Sequence, residues 1–85
     1  MEVRFTRHFK KNYKKSPIAI QKSFDARLEI FLSDPNNYVL HNHSLRGNLA
    51  GSFTINVTND WRAVYTLDNG IIVFIALGTH SQLYG

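Results

Sequence analysis

The chain has no cysteine among its 85 residues, so neither a disulfide nor a thiolate metal site can contribute to its fold. It also lacks an HExxH pattern, a Gly-rich phosphate loop and a serine nucleophile elbow, which removes the enzyme classes that depend on them. Long apolar runs are missing too. The longest, Ile71-Ile72-Val73-Phe74-Ile75-Ala76-Leu77, is far too short to span a bilayer, and Met1-Glu2-Val3-Arg4-Phe5 lacks the apolar stretch of a signal peptide. A soluble, cytoplasmic protein without membrane contact is expected. Acid is scarce: six Asp and Glu stand against ten Lys and Arg, a formal charge of +4. Arg4, Arg7, Lys10, Lys11, Lys14, Lys15 and Lys22 carry most of the excess, with Glu2 the one acid among them. Each lysine alone reads equally well as a solvated helix face, but the cluster favours a polyanion or an acidic partner. Hydrophobic residues at 44% and aromatics at 13% suffice for one core. A chain this short buries only roughly 60–65% of its unfolded surface, so one domain over residues 1–85 is expected.

Val3-Arg4-Phe5 reads as a short strand, and Thr6 as the cap of a helix through Lys15 that turns Phe9 and Tyr13 inward and Lys10, Lys11 and Lys14 outward. Ser16-Pro17 reads as a second helix start. That helix runs to about Ser33, with Phe24, Leu28, Phe31 and Leu32 forming one apolar stripe. Asp34-Pro35-Asn36-Asn37 breaks it, and residues 36–51 have no periodicity, which predicts a long surface loop. From Ser52 the period is two, with Phe53, Ile55 and Val57 on one side. A tight turn at Asn59-Asp60 leads to a strand from Trp61 to Leu67. Asn69-Gly70 then makes a two-residue hairpin turn into the apolar run, setting Leu67 opposite Ile72 and Arg62 opposite Leu77. The expected fold is α+β, in the order β-α-α-β-β-β, with both helices on one face of a mainly antiparallel sheet.

Gly78 ends the last strand, and the polar octet Gly78-Thr79-His80-Ser81-Gln82-Leu83-Tyr84-Gly85 follows it. His80 reads either as a proton carrier on a rigid mount or as a surface group. His43 in His41-Asn42-His43 is equally open, and the two histidines of that tripeptide would need a further ligand to hold a metal. Asp60 suits a turn as well as a site. Arg62 suits an apolar sheet edge as well as a phosphate. Tyr84 suits packing as well as base stacking. A metal-free set of histidine, aspartate and arginine on a basic domain fits RNA cleavage by its own 2′-hydroxyl.

Three segments add specificity. His43-Ser44-Leu45-Arg46-Gly47, Asp60-Trp61-Arg62-Ala63-Val64-Tyr65, and Phe74 through Gly85 resemble, in order and spacing, motifs of the YafQ branch of the RelE/ParE toxin superfamily, and the layout matches over the whole chain. The resemblance implies a RelE-like fold and a ribosome-dependent mRNA endonuclease, the toxin of a type II toxin–antitoxin pair. It makes His80 the general acid, His43 the base, Asp60 a group that tunes a histidine, Arg62 a phosphate-stabilising cation and Tyr84 a substrate-positioning ring. His41 has no counterpart and is expected to be silent. Arg7, Lys10, Lys11, Lys14, Lys15 and Arg46 are candidates for contact with RNA and ribosome. No cofactor or metal is implied; the implied partners are an acidic antitoxin, the ribosome with its mRNA, and operator DNA only through the antitoxin complex. The sequence departs from the pattern at Asn56, where the family has a histidine, and at Ala76, where it has an arginine. Two alternatives are a ParE-like gyrase inhibitor, which needs no proton carriers, and a catalytically weak relative that only binds antitoxin and operator.

Overall fold

A computed structural model describes residues 1–84, apart from the Asn48 side chain; Gly85, the last residue of the octet, lies outside the described residues. The order is β1 (Val3–Phe5), α1 (Arg7–Lys15), α2 (Ile18–Ser33), β2 (His43–Ser44), β3 (Ser52–Asn56), β4 (Trp61–Asp68), β5 (Ile71–Thr79) and α3 (His80–Tyr84). The strands form one sheet in the order β1-β5-β4-β3-β2, with β1 parallel to β5 and every other pair antiparallel. The expected α+β layout is therefore observed, with a short strand and a C-terminal helix added to it. None of the helices described is long and apolar enough to cross a membrane.

The Thr6 hydroxyl accepts from the Phe9 N–H at 3.1 Å and starts α1 as expected. Lys14 and Lys15 in the last turn complement the helix dipole. The expected cap of α2 is not formed. The Ser16 hydroxyl instead donates back to the Asn12 carbonyl at 2.7 Å, α2 starts at Ile18 without a side-chain cap, and Gln21 Nε2 donates to the Tyr13 carbonyl at 2.9 Å. The chain between the helices is too short for Ser16 to leave one and cap the next. Phe24 and Phe31 are buried, but Leu32 is 44% exposed. At about 100° per residue, Leu32 lies about 80° around the helix from Phe24 and falls off the apolar stripe.

The core is aromatic and lies between the helices and one sheet face. Phe74, fully buried on β5, has its ring centroid 5.8 Å from Phe5, 5.7 Å from Phe9, 5.4 Å from Phe24, 5.8 Å from Phe31 and 5.5 Å from Tyr65. Offset and edge-on pairs at these separations add to the energy of burial. β1 stops at Phe5, level with Phe74, and α1 takes over along that edge: Asn12 Oδ1 accepts from the Leu77 N–H at 3.0 Å.

The hairpin begins in the expected register, with Leu67 opposite Ile72, but a bulge follows: Tyr65 pairs with Phe74 and Val64 with Ala76. Ile75 is the extra residue. Arg62 consequently pairs with Gly78 rather than Leu77 and stands one residue closer to His80 than an unbroken ladder would put it.

Residues 36–51 are not an unstructured loop. Short 3-10 turns occupy Tyr38–Leu40 and Gly47–Leu49, and β2 pairs His43 with Thr54. Leu40 is fully buried, and Asn42 accepts from the Tyr65 hydroxyl at 2.8 Å while donating to the Pro35 carbonyl at 3.0 Å. None of these anchors is periodic, which is why the pattern reads as loop.

Candidate functional site

Strand alternation divides the sheet. Ile55, Ala63 and Leu77 form one cross-strand row in the core under the helices. His43, Thr54, Asn56, Arg62, Val64, Ala76 and Gly78 belong to the rows of the other face. A cleft of about 360 Å³ opens there, lined by His41, His43, Leu45, Arg62, His80 and Tyr84.

His80 is held by its backbone. Its N–H donates to the Asp60 carbonyl at 2.9 Å, tying the start of α3 to the turn before β4. The helix is short but well capped: Gln82 Oε1 accepts from the Thr79 N–H at 2.8 Å and Thr79 Oγ1 accepts from the Gln82 N–H at 3.2 Å. This reciprocal pair is a capping box. The Thr-x-x-Gln spacing that announces it stands in the sequence and marks a helix start the octet's polarity concealed. A Cβ on Gly78 would stand 3.0 Å from Gln82 Oε1, so a larger residue there would press on the box. One turn on from His80, Tyr84 meets it edge-on with ring centroids 4.6 Å apart, and its hydroxyl bonds Thr54 Oγ1 at 3.3 Å.

His43 is held from the other side of the cleft. Its Nδ1 lies 2.7 Å from the His41 carbonyl oxygen. A carbonyl can only accept, so Nδ1 carries the proton, and in the neutral ring Nε2 is the basic nitrogen. Behind it, burial raises the Tyr65 phenol above its ordinary value of 10.0 while the Asn42 bond opposes that rise. Tyr65 thus remains a neutral donor that fixes the residue before His43.

Arg62 is partly committed. Its Nη1 donates to the carbonyls of Thr58 at 2.7 Å, Asn59 at 2.9 Å and Trp61 at 3.1 Å, so one end of the fork closes the β3–β4 turn. All three hydrogen bonds of the Arg62 side chain among the described residues are made by Nη1, and Arg62 is one of the residues that line the cleft. It does not pair with Asp60. Beside it, Asn56 Oδ1 is buried without a partner, a state that costs stability.

Of the expected site residues, His43, His80, Arg62 and Tyr84 meet in the cleft. Asp60 does not line it: its backbone carbonyl holds His80, whereas its carboxylate makes no hydrogen bond or ion pair among the described residues, because the turn points it to solvent. His41, expected to be silent, is part of the lining. Arg7, Lys10, Lys11, Lys14 and Lys15 are exposed on α1, and Arg46 is exposed beyond β2; none of the six lines the cleft. No group of three His, Asp or Glu side chains among the described residues is arranged to hold a metal.

The family described as "Bacterial toxin of type II toxin-antitoxin system, YafQ" matches residues 1–85. No protein of curated function matches by sequence. Among solved structures, YafQ from E. coli strain BL21(DE3) is similar with a TM-score of 0.84 at 20% identity, covering 99% of this chain and 98% of that one. The E. coli DinJ-YafQ complex gives a TM-score of 0.73 at 25% identity, covering 99% and 98%. A YoeB/ParE toxin from Agrobacterium tumefaciens gives 0.75 at 16% identity, covering 94% and 99%. With the family matched from end to end and its fold reproduced, the chain belongs to the YafQ toxins of bacterial type II toxin–antitoxin systems.

Proposed function

We propose that this toxin is a ribosome-dependent mRNA endonuclease that cleaves RNA through attack of a 2′-hydroxyl, without a cofactor. The observation that carries the reading is the pair of imidazoles, His43 and His80, on separate elements of one cleft, with an arginine and an aromatic ring beside them. His43 Nε2 takes the proton of the 2′-hydroxyl as its oxygen bonds to phosphorus. His80 gives a proton to the departing 5′-oxygen, leaving a 2′,3′-cyclic phosphate and a free 5′-hydroxyl. The free N–H groups of Arg62 suit the charge that grows on the phosphoryl oxygens. Tyr84 offers a face on which a base stacks.

So open a site cannot orient RNA by itself, and the ribosome supplies that orientation. The exposed lysines of α1 suit ribosomal RNA or, in the silenced state, an acidic antitoxin. Operator DNA is reached only through that antitoxin, and the toxin acts in the cytoplasm.

Mapping 5′ ends of mRNA after brief induction tests the reading. New ends inside translated frames, absent when translation is blocked, are expected. Intact transcripts with stalled replication and trapped gyrase would replace it with gyrase inhibition, and intact transcripts with normal growth would leave a binding module.

A further inference from the structure

Among the described residues, His41 is one of two non-glycine residues with a positive φ; the other, Asn69, sits in the β4–β5 hairpin turn. Its φ of 46° and ψ of 48° put it in the left-handed region, where histidine, asparagine and aspartate are enriched among side-chain-bearing residues and β-branched residues are outliers. The conformation is enforced from both sides. Before it, Leu40 is fully buried and the His41 N–H closes the 3-10 turn onto the Tyr38 carbonyl at 3.2 Å. After it, the Asn42 side chain is fixed between Tyr65 and Pro35, and His43 is paired to Thr54. The strained residue therefore turns its carbonyl onto the ring two residues ahead, at 2.7 Å from His43 Nδ1. Backbone strain retained at a cleft is the pattern expected where geometry serves function.

We propose that His41 is a positioning residue: its left-handed backbone holds His43 in the Nδ1–H tautomer, so that Nε2 is the nitrogen that accepts a proton. A neutral imidazole free in water exchanges its proton between two ring nitrogens that point in different directions, and a base that must meet one hydroxyl cannot use both. The His41 carbonyl removes that choice before substrate arrives. The His41 ring, 4.6 Å from the His43 ring and tilted by 50°, lines the cleft but is not what selects the tautomer. The proposal rests on His43 as the base, and its test is built to fail separately from that reading.

The readout is the ¹⁵N signature of the His43 ring, observed by long-range proton–nitrogen correlation at alkaline pH on the full chain. The wild type should show a protonated Nδ1 and an unprotonated Nε2. His41→Gly deletes the ring but favours the same backbone, and should keep the signature. His41→Val resists a positive φ; it should mix the two tautomers and slow single-turnover cleavage by about 10–100-fold, the loss typical when an orienting partner of a histidine is removed. His41→Asn, which tolerates the turn, should restore both, which guards against a valine variant that merely folds poorly. A wild-type signature in His41→Val, or loss of the signature in His41→Gly, would overturn the proposal. A mixed tautomer with an unchanged cleavage rate would uphold the contact and remove His43 as the base.

Discussion

The two faces of the sheet are built on opposite principles. Toward the helices, Phe5, Phe9, Tyr13, Phe24, Phe31, Tyr65 and Phe74 form a continuous aromatic network whose two hydroxyls are both satisfied, Tyr65 by Asn42 and Tyr13 by Asp25. Toward the cleft stand His43, Asn56, Arg62 and His80, with one buried oxygen unpartnered and only a five-residue helix as cover. One face is optimised for burial. The other retains groups that cost stability, which is what a surface selected for chemistry looks like. The contrast can be broken by substitutions that should move stability on the core face and, at His80, cleavage rate without stability on the other.

The largest effect is expected at the centre of the core. Phe74→Ala should destabilise the fold by about 3–5 kcal/mol, because five aromatic neighbours cannot all collapse into the space left. Urea unfolding measures it, and a loss below about 1 kcal/mol would mean the aromatic network is not the seat of stability. On the cleft face, His80→Ala should lower single-turnover cleavage by about 10²–10⁴-fold while leaving the unfolding midpoint near wild type. His8→Ala, an exposed histidine of α1, is the control; equal rates in the two folded variants would dismiss His80 as the acid.

Arg62 sharpens the comparison because it serves both ends. Arg62→Lys keeps the charge but cannot hold three turn carbonyls and still offer a fork to phosphate. A rate loss of about 10²-fold, with a stability loss of about 1 kcal/mol, is expected, and a wild-type rate would leave Arg62 as a turn clasp only. The smallest effect should have the opposite sign. Asn56→Val removes the unpartnered oxygen and puts a β-branched residue in a strand, so thermal melting should show a gain of about 1 kcal/mol. A destabilised variant would mean that Asn56 has a partner in solution.

The aromatic face was readable from one dimension. Helical spacing placed Phe9, Phe24 and Phe31, alternation placed Ile55 and Val57, and the Asn69-Gly70 turn set the start of the hairpin, since each signal depends on residues a few positions apart. The cleft was readable only in part. His43, His80, Arg62 and Tyr84 stand out through a family pattern, but nothing local says that they meet. The bulge that moves Arg62 toward His80 lies in a run of apolar residues with no signal of its own, and His41 gives none because its role is carried by its carbonyl.

Residue order was therefore enough for α1 and α2, the start of the hairpin and the family, all of which follow from short-range periodicity, turn chemistry and motif spacing. Folding in three dimensions settled the rest. Buried Leu40 and the Tyr65–Asn42 bond fix a segment that looks like free loop, and the extra residue at Ile75 shifts a register. A backbone carbonyl, which every residue carries, becomes specific to His43 only when the chain around His41 is held in a left-handed turn.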